Sequence, residues 1–174
     1  KDYVKHGSGT KIISTNKKDK SLFMIKLIKS TFHNEPKTKK QLCSFIKDAK
    51  QLSFGPECQK FEKRFAKWQK RKYSVFLNSG SSANLAIVQA LLNLGKLKKN
   101  DYVGFSALTW STNVMPLIQL GLQAVPIDIE LNTLNVSSRT LLDVLEKYPL
   151  KMVLLTNLLG FCDDIDEIQR ICEE

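Results

Sequence analysis

The sequence predicts an α/β fold with three layers, in which helices cover both faces of a mostly parallel sheet. Two observations lead to this prediction. Short apolar segments without polar alternation, typical of strands buried on both faces, alternate with helical patterns along residues 73–174. The connections between the apolar segments are long enough to hold a helix each, as the crossover between parallel strands requires.

The first 36 residues are predicted to form an N-terminal arm with little defined structure, because they are polar and charged. Residues 21–32 within this arm mix apolar and basic side chains in the manner of a short helix. Residues 37–50 then show a helical pattern opened by Pro36, and residues 53–56 have the composition of a turn. We expect residues 37–174 to be the N-terminal part of a larger domain.

A second helix is predicted to follow the turn and to end near Lys70. Its aromatic residues Phe61, Phe65 and Trp68 recur at helical spacing, with charged residues between them. Such a stripe is typical of a helix face that packs into a core. We therefore expect these three side chains to be buried.

Strands and helices are predicted to alternate in the remainder of the chain. The predicted strands are residues 73–77, 102–105, 123–127 and 152–155, and the predicted helices are residues 83–94, 109–120, 141–146 and 165–173. The sequence ends within the last of these helices. Because a strand should follow a helix that packs on the sheet, we expect the sheet to be incomplete within these residues.

The positive charge is concentrated in one part of the chain. Residues 1–72 carry 20 Lys and Arg against 6 Asp and Glu, whereas residues 73–174 carry 7 against 11. A basic segment invites a nucleic-acid-binding interpretation. However, the chain has 23 Lys and only 4 Arg, and bidentate recognition of phosphates and bases favours Arg. We therefore favour a solvated, Lys-rich face over a nucleic-acid partner.

The composition also bears on metals, thiols and membranes. The chain has 2 histidines and 4 cysteines, none of them in a C-x-x-C pair, so it lacks the clustered ligands of a zinc site. We expect reduced, partly buried thiols in a cytoplasmic protein. No run of about 18 apolar residues and no secretory signal is visible, so we expect no membrane partner.

Residues 78–83, with the sequence Asn-Ser-Gly-Ser-Ser-Ala, lie between a predicted strand and a predicted helix. Ligands of open parallel sheets bind at the carboxyl ends of strands, and the N–H groups of a helix start bind phosphate. Gly80 would let the backbone approach a phosphate closely, and Ser81 and Ser82 would add hydroxyl donors. From these residues alone, simple capping of the helix by Ser79 or Ser81 remains an open alternative.

Trp110 follows the next predicted strand and should therefore emerge at the same edge of the sheet. Its ring could lie against a flat ligand, or it could fill the core above the sheet. A phosphate-binding turn and an aromatic ring on neighbouring strands would together suit a flat phosphorylated cofactor. Pyridoxal phosphate has that shape.

Short motifs also occur in a characteristic order along residues 37–174. They are Gly55-Pro56, Phe61-Glu62, Phe65-Ala66, residues 78–84, Thr109-Trp110, residues 125–128, Leu134-Asn135, Gly160 and residues 164–166. This ordered set resembles the DegT/DnrJ/StrS family of sugar aminotransferases, which have the aspartate aminotransferase fold of pyridoxal-phosphate-dependent enzymes. The expected architecture is therefore the N-terminal part of the large domain of that fold.

The resemblance implies a site for pyridoxal 5'-phosphate. Gly80, Ser81 and Ser82 would hold its phosphate, Trp110 would stack on its ring, and Asn157 would face the cofactor or the sugar. The aspartate that pairs with the pyridine nitrogen and the Schiff-base lysine belong to a later part of the family's sequences. No catalytic residue is therefore assigned within these 174 residues.

The resemblance also implies an activity for the complete protein. It would transfer an amino group from an amino-acid donor, expected to be glutamate, to a keto group on a nucleotide-linked sugar for polysaccharide biosynthesis. The amino group would travel as pyridoxamine phosphate, and the enzyme would be a homodimer. The alternative within the family is a pyridoxamine-phosphate-dependent sugar 3-dehydrase, which has histidine in place of the Schiff-base lysine. A non-catalytic fragment is a further alternative, and these residues alone are expected to be inactive.

Overall fold

The computed structural model describes residues 32–174. Residues 1–31, which include nearly all of the predicted short helix at residues 21–32, lie outside the described residues. The chain divides into two compact units, one that ends at Ser74 and one that spans Val75–Glu174. The described part of the first unit is helical, and the second unit contains the sheet.

Two helices form the described part of the first unit. Helix α1 spans Glu35–Asp48 and helix α2 spans Pro56–Trp68, and each has a proline in its first turn, where the fixed φ of proline favours helix formation. Between them the side-chain amide of Gln51 donates a 2.8 Å hydrogen bond to the carbonyl of Phe54. The helix predicted at residues 37–50 and the turn at residues 53–56 are therefore confirmed.

The predicted burial of the aromatic stripe on α2 is wrong. Phe61 and Phe65 stack with ring centroids 5.7 Å apart, and Phe65 and Trp68 follow at 5.6 Å, so the rings do share one face. However, they are 48%, 40% and 73% exposed, and Ala66 is the buried residue of this helix. Helical spacing places apolar side chains together, but burial needs a second apolar surface that spacing does not supply.

The second unit is built around a parallel sheet with the strand order β2-β1-β3. Its strands are β1 (Tyr102–Ser106), β2 (Gln123–Ile127) and β3 (Leu150–Leu154), and Gly104 of β1 pairs with Val125 on one side and Val153 on the other. Its helices are α3 (Gly80–Asn93), α4 (Ser111–Gln119), α5 (Ser138–Leu145) and α6 (Ile165–Glu173), with a short 3-10 turn at Leu158–Gly160. The elements predicted after residue 80 are confirmed, with ends shifted by up to a few residues.

Helices cover both faces of this sheet. On one face Val88 of α3 and Leu117 of α4 pack in a cluster with Val103 of β1. On the other face Leu141 of α5 and Ile168 of α6 pack in a cluster with Ile127 of β2. The layers are thus helix, sheet and helix, and the predicted fold class is confirmed.

The predicted strand at residues 73–77 is not formed. Tyr73 and Val75 are each 76% exposed, and the segment has no strand partner among the described residues. An apolar run becomes a strand only when a neighbouring strand satisfies its backbone hydrogen bonds. The strands of the described sheet pair with one another, and residues 73–77 do not join them.

Candidate functional site

The turn predicted to bind phosphate forms the first turn of α3 rather than a loop before it. Gly80 is the first helical residue, and the hydroxyl of Ser79 caps the helix by accepting a 3.1 Å hydrogen bond from the N–H of Ser82. The Ser79 hydroxyl in turn lies 3.1 Å from the Ser82 hydroxyl, to which it donates. Capping by Ser79 is therefore present. It uses the N–H of Ser82 and leaves those of Gly80 and Ser81 ahead of the helical hydrogen-bond ladder.

The surface at this helix start has room for an anion. Gly80 and Ser81 are exposed, and a Cβ atom built on Gly80 would have no neighbouring atom within 4 Å. The first N–H groups of a helix carry partial positive charge and bind phosphate. The Ser81 hydroxyl makes no hydrogen bond to any other described residue. These residues fit a phosphate group in both charge and space.

Ser81 and Ser82 border a groove between α3 and α4. The groove has a volume of about 320 Å³ and is also lined by Leu85 of α3 and by Thr112, Met115, Pro116 and Gln119 of α4. The first turn of α3 and residues of α4 thus line one groove, and Trp110 immediately precedes α4. Of the two predicted features only Trp110 follows a strand, because the strand predicted at residues 73–77 is not formed.

Trp110 is the residue immediately before α4. Its side chain is 74% exposed, so the ring does not fill the core above the sheet. Its carbonyl accepts a 2.9 Å hydrogen bond from the N–H of Asn113, which fixes the turn that enters α4. The indole is therefore open to a ligand and lies two residues before Thr112, which lines the groove.

A chain of polar side chains joins two strand ends to these helix starts. The hydroxyls of Thr109 and Thr156 are 2.5 Å apart, and the side-chain amide of Asn113 donates to both of them, at 2.8 and 3.1 Å. The amide of Asn84 on α3 donates to Oδ1 of Asn113 at 2.6 Å. The N–H of Thr156 donates to the buried hydroxyl of Ser106 at 2.9 Å. These bonds connect the carboxyl ends of β1 and β3 to α3 and α4.

None of these five residues was predicted from the sequence to belong to the site. Thr109 and Asn84 belong to the family-like motifs without a predicted role in the site, and Ser106, Asn113 and Thr156 belong to none of these motifs. One signal was available, because Ser106 ends β1 and Thr156 comes two residues after β3. Polar residues at the carboxyl ends of parallel strands are candidates for a ligand site or its support.

Asn157 lies just after this polar chain and before the 3-10 turn. It is exposed, and its carbonyl accepts a 3.1 Å hydrogen bond from the N–H of Gly160. Its side chain makes no hydrogen bond to another described residue. A contact of Asn157 with the cofactor or the sugar stays a prediction.

The residues from 32 to 174 contain no group of three or more His, Cys, Asp or Glu side chains that could hold a metal ion. The four cysteines are free, as predicted, but Cys43, Cys162 and Cys172 are exposed, so partial burial holds only for Cys58. The prediction erred for Cys43 because α1 buries none of its residues. No helix in the described part of the chain combines the length and apolarity needed to cross a membrane.

Known proteins similar to this chain share one family. A family model with the description DegT/DnrJ/EryC1/StrS aminotransferase family matches residues 34–174. GDP-4-keto-6-deoxy-D-mannose 3-dehydratase of Escherichia coli O55:H7 is 38% identical over 128 residues, 72% of this chain and 33% of that protein. The enzyme of the same name from Yersinia pseudotuberculosis is 38% identical over 130 residues, 74% of this chain and 33% of that protein. The chain thus spans about a third of the length of these relatives.

Solved structures agree with this comparison. The E. coli GDP-4-keto-6-deoxy-D-mannose-3-dehydratase with bound hydrated PLP is 34% identical with a TM-score of 0.72, over 84% of this chain and 37% of that chain. An aminotransferase from Psychrobacter cryohalolentis has a TM-score of 0.66 at 23% identity, over 83% of this chain and 35% of that chain. At that identity the second likeness shows a shared fold alone.

Proposed function

Because the chain belongs to the DegT/DnrJ/EryC1/StrS aminotransferase family, we propose that the complete protein is a nucleotide-sugar 3-dehydratase that uses pyridoxamine phosphate. One observation carries this proposal. The two relatives that are 38% identical are both named as such a dehydratase, whereas the solved aminotransferase is 23% identical. The proposed substrate is a GDP-linked 4-keto-6-deoxy sugar. Transamination, the activity first expected from the sequence, becomes the second candidate.

The proposed cofactor is pyridoxal 5'-phosphate, which works in its pyridoxamine phosphate form. When bound, this group supplies an electron sink next to the sugar carbon whose bond is broken. Two observations support it. The start of α3 has charge and space for a phosphate, and the related E. coli dehydratase holds hydrated PLP.

The phosphate would be held by the first turn of α3. The N–H groups of Gly80 and Ser81 and the Ser81 hydroxyl would donate to its oxygens, since none of them is used by the capping bonds. The Ser82 hydroxyl already accepts a hydrogen bond from Ser79, so its own hydrogen remains for the phosphate. The first turn of α3 contains no acidic residue that would repel the anion.

Trp110 would cover one face of the cofactor ring and keep water from it. Its exposure leaves the indole face available, and the N–H of Asn113 fixes its carbonyl. Asn157 would contact the sugar or the cofactor edge. No group that moves a proton is assigned within residues 1–174, so the catalytic groups are proposed to come from the rest of the protein.

The proposal also includes partners and location. Glutamate would regenerate the amino form of the cofactor, and the complete enzyme would act as a cytoplasmic homodimer in polysaccharide biosynthesis. Light scattering of the purified complete protein measures its mass in solution. A monomeric mass with full activity would remove the dimer from the proposal without affecting the chemistry.

The product distinguishes the two candidate reactions. The complete protein is incubated with pyridoxal phosphate, L-glutamate and a GDP-4-keto-6-deoxy sugar, and the products are identified by mass spectrometry. We expect a keto sugar with one oxygen atom fewer than the substrate, because the C3 hydroxyl would leave as water while glutamate, through the cofactor, would supply two electrons and become 2-oxoglutarate with release of its nitrogen as ammonia. An amino sugar that keeps the C3 hydroxyl would instead identify the protein as an aminotransferase.

A further inference from the structure

We propose that Asn113 is a positioning residue, which holds the phosphate-binding turn of α3 and the turn that carries Trp110 at a fixed separation. The inference rests on the proposed function, because it concerns the cofactor site described above. It adds a residue that contacts neither the phosphate turn nor the indole through its side chain. The observations that carry it are the four hydrogen bonds of Asn113.

Asn113 fixes the approach to Trp110 from two directions. Its backbone N–H donates to the carbonyl of Trp110 at 2.9 Å. Its side-chain amide donates to the hydroxyl of Thr109, the residue before Trp110, at 2.8 Å. The second hydrogen of the same amide donates to Thr156 after β3, at 3.1 Å. Thr109 and Trp110 are therefore both hydrogen-bonded to Asn113 of α4, which also bonds to Thr156 after β3.

Asn113 also reaches the phosphate turn through Asn84. Asn84 lies four residues after Gly80 and three after Ser81, so it shares their face of α3. Its amide donates to Oδ1 of Asn113 at 2.6 Å, in a partly buried position. Both N–H donors of the Asn113 amide and its carbonyl oxygen are then hydrogen-bonded.

This bond is the directional element of the contact between the two helices. Within residues 75–174 it is the one side-chain hydrogen bond between α3 and α4, whose other contacts include the apolar pair Val88 and Leu117. Apolar packing sets how close helices approach but is not directional, whereas a hydrogen bond weakens steeply when its angle changes. The separation of phosphate turn and indole therefore depends on the Asn84–Asn113 bond.

The test uses the complete protein, three single variants and the double variant N84A/N113A. N113A removes the three side-chain hydrogen bonds of Asn113 and keeps its backbone bond to Trp110, and N84A removes only the link to α3. N93A is the matched control, since it removes a 2.8 Å amide hydrogen bond with Gln89 at the other end of the same helix. For each protein we would measure the Kd for pyridoxal phosphate, the visible circular dichroism of the bound cofactor per mole bound, and the Tm of the cofactor-free protein.

We expect N113A to raise the Kd about tenfold, as the loss of a net hydrogen-bond contribution predicts, and to change the circular dichroism band, which reports ring orientation. N84A should change both in the same direction but less. The double variant N84A/N113A should be no worse than N113A, because both remove one link. N93A should leave the Kd and the band unchanged.

An unchanged Kd and band in N113A would overturn the positioning role. Equal changes in N93A and N113A would overturn it too, since they would reflect general helix stability. If N113A is insoluble, N84A against N93A decides the question. A wild-type protein that binds no pyridoxal phosphate would instead overturn the proposed function, and this inference with it, before any variant is compared.

Discussion

Three serines at the start of α3 have different roles, although the sequence presents them as one polar cluster. Ser79 caps the helix through the N–H of Ser82, and the Ser82 hydroxyl receives a hydrogen bond from Ser79. Ser81 makes no hydrogen bond to another described residue and is exposed. Capping therefore falls on Ser79, and it leaves Ser81 available for the phosphate binding that we propose.

This division predicts that two similar substitutions affect different quantities, one the affinity for the cofactor and the other the stability of the cofactor-free protein. S81A should weaken cofactor binding by about 1.5 kcal/mol, roughly tenfold in Kd, because a hydrogen bond to a charged group is lost. It should leave the Tm of the cofactor-free protein unchanged. S79A should lower that Tm, because loss of an N-cap costs about 1 kcal/mol. Both are measured on the complete protein by cofactor titration and thermal unfolding. Equal loss of cofactor affinity in both variants would contradict separate roles.

Asp164 shows how one carboxylate joins distant segments. It accepts hydrogen bonds from the hydroxyl of Ser138 and, at 2.8 Å, from its N–H at the start of α5. The bond from the Ser138 hydroxyl lowers the pKa of Asp164 below its ordinary value, against an opposing effect of burial. The carboxylate is therefore preferentially charged in the folded protein.

The lowered pKa predicts a pH-dependent contribution to stability. A group whose pKa falls on folding stabilises fully above its unfolded pKa of about 3.9, and loses this contribution as the pH drops through the folded value. D164A should therefore reduce the free energy of unfolding at pH 7, and the difference from wild type should shrink below about pH 4. Denaturant unfolding at pH 7 and pH 3 measures this, with D166A as a control for the loss of one exposed charge. A difference that is the same at both values would refute the linkage.

Among the elements, β1 holds the most constrained position because strands flank it on both sides. Gly104 lies at its centre, and a Cβ atom there would come within 2.7 Å of Ile127 and 2.8 Å of Leu150. Ile127 is completely buried, so its side chain cannot move aside into solvent. A Cβ at Gly104 would therefore force the ends of the Ile127 and Leu150 side chains to shift within the cluster on that face of the sheet.

G104A should destabilise the protein by about 1 to 3 kcal/mol, the usual range for overpacking a core. G80A is the matched glycine variant, since a Cβ there meets no atom within 4 Å. It should leave the cofactor-free protein as stable as wild type while weakening the binding of pyridoxal phosphate. Thermal unfolding and cofactor titration measure the pair. The packing argument fails if G104A is as stable as G80A.

The predicted strands and helices are confirmed where other elements of this chain pack against their apolar residues. The strand at 123–127 and the helix at 165–173 match β2 and α6 because neighbouring strands and helices of this chain bury their apolar residues. The segment 73–77 and the stripe on α2 have equally clear patterns but different outcomes. Their patterns indicate which side chains could be buried, but these side chains are buried only if another apolar surface packs against them.

The proposed reaction needs groups from the described residues and from the rest of the complete protein. The described residues offer hydrogen-bond donors for a phosphate and an aromatic ring. No lysine of residues 37–174 is proposed to bind the cofactor. The proposal therefore places covalent chemistry elsewhere in the complete protein. No catalytic role is proposed for the basic residues 1–72.

This placement predicts the outcome of chemical trapping. The complete protein is mixed with pyridoxal phosphate, treated with borohydride and digested, and modified lysines are mapped by mass spectrometry. We expect no stoichiometric modification of any lysine in residues 1–174. A single fully modified lysine in this range would show that a catalytic residue had been overlooked. Modification of a lysine elsewhere would favour the aminotransferase over the dehydratase.

The fold class, the order of the elements from α3 onward and the family follow from the sequence alone, whereas phosphate binding at Gly80, Ser81 and Ser82 and ring stacking by Trp110 stay predictions. These depend on local chemistry, such as apolar runs, capping residues, glycine at a helix start and short motifs in a fixed order. The packing of α3 on α4 places Ser81 and Ser82 along one groove with Thr112, and it lets Asn113 link Asn84 to Thr109 and Thr156. The reason is physical: hydrogen bonds between residues 29 and 43 positions apart depend on how the helices and strands pack, which no local pattern encodes.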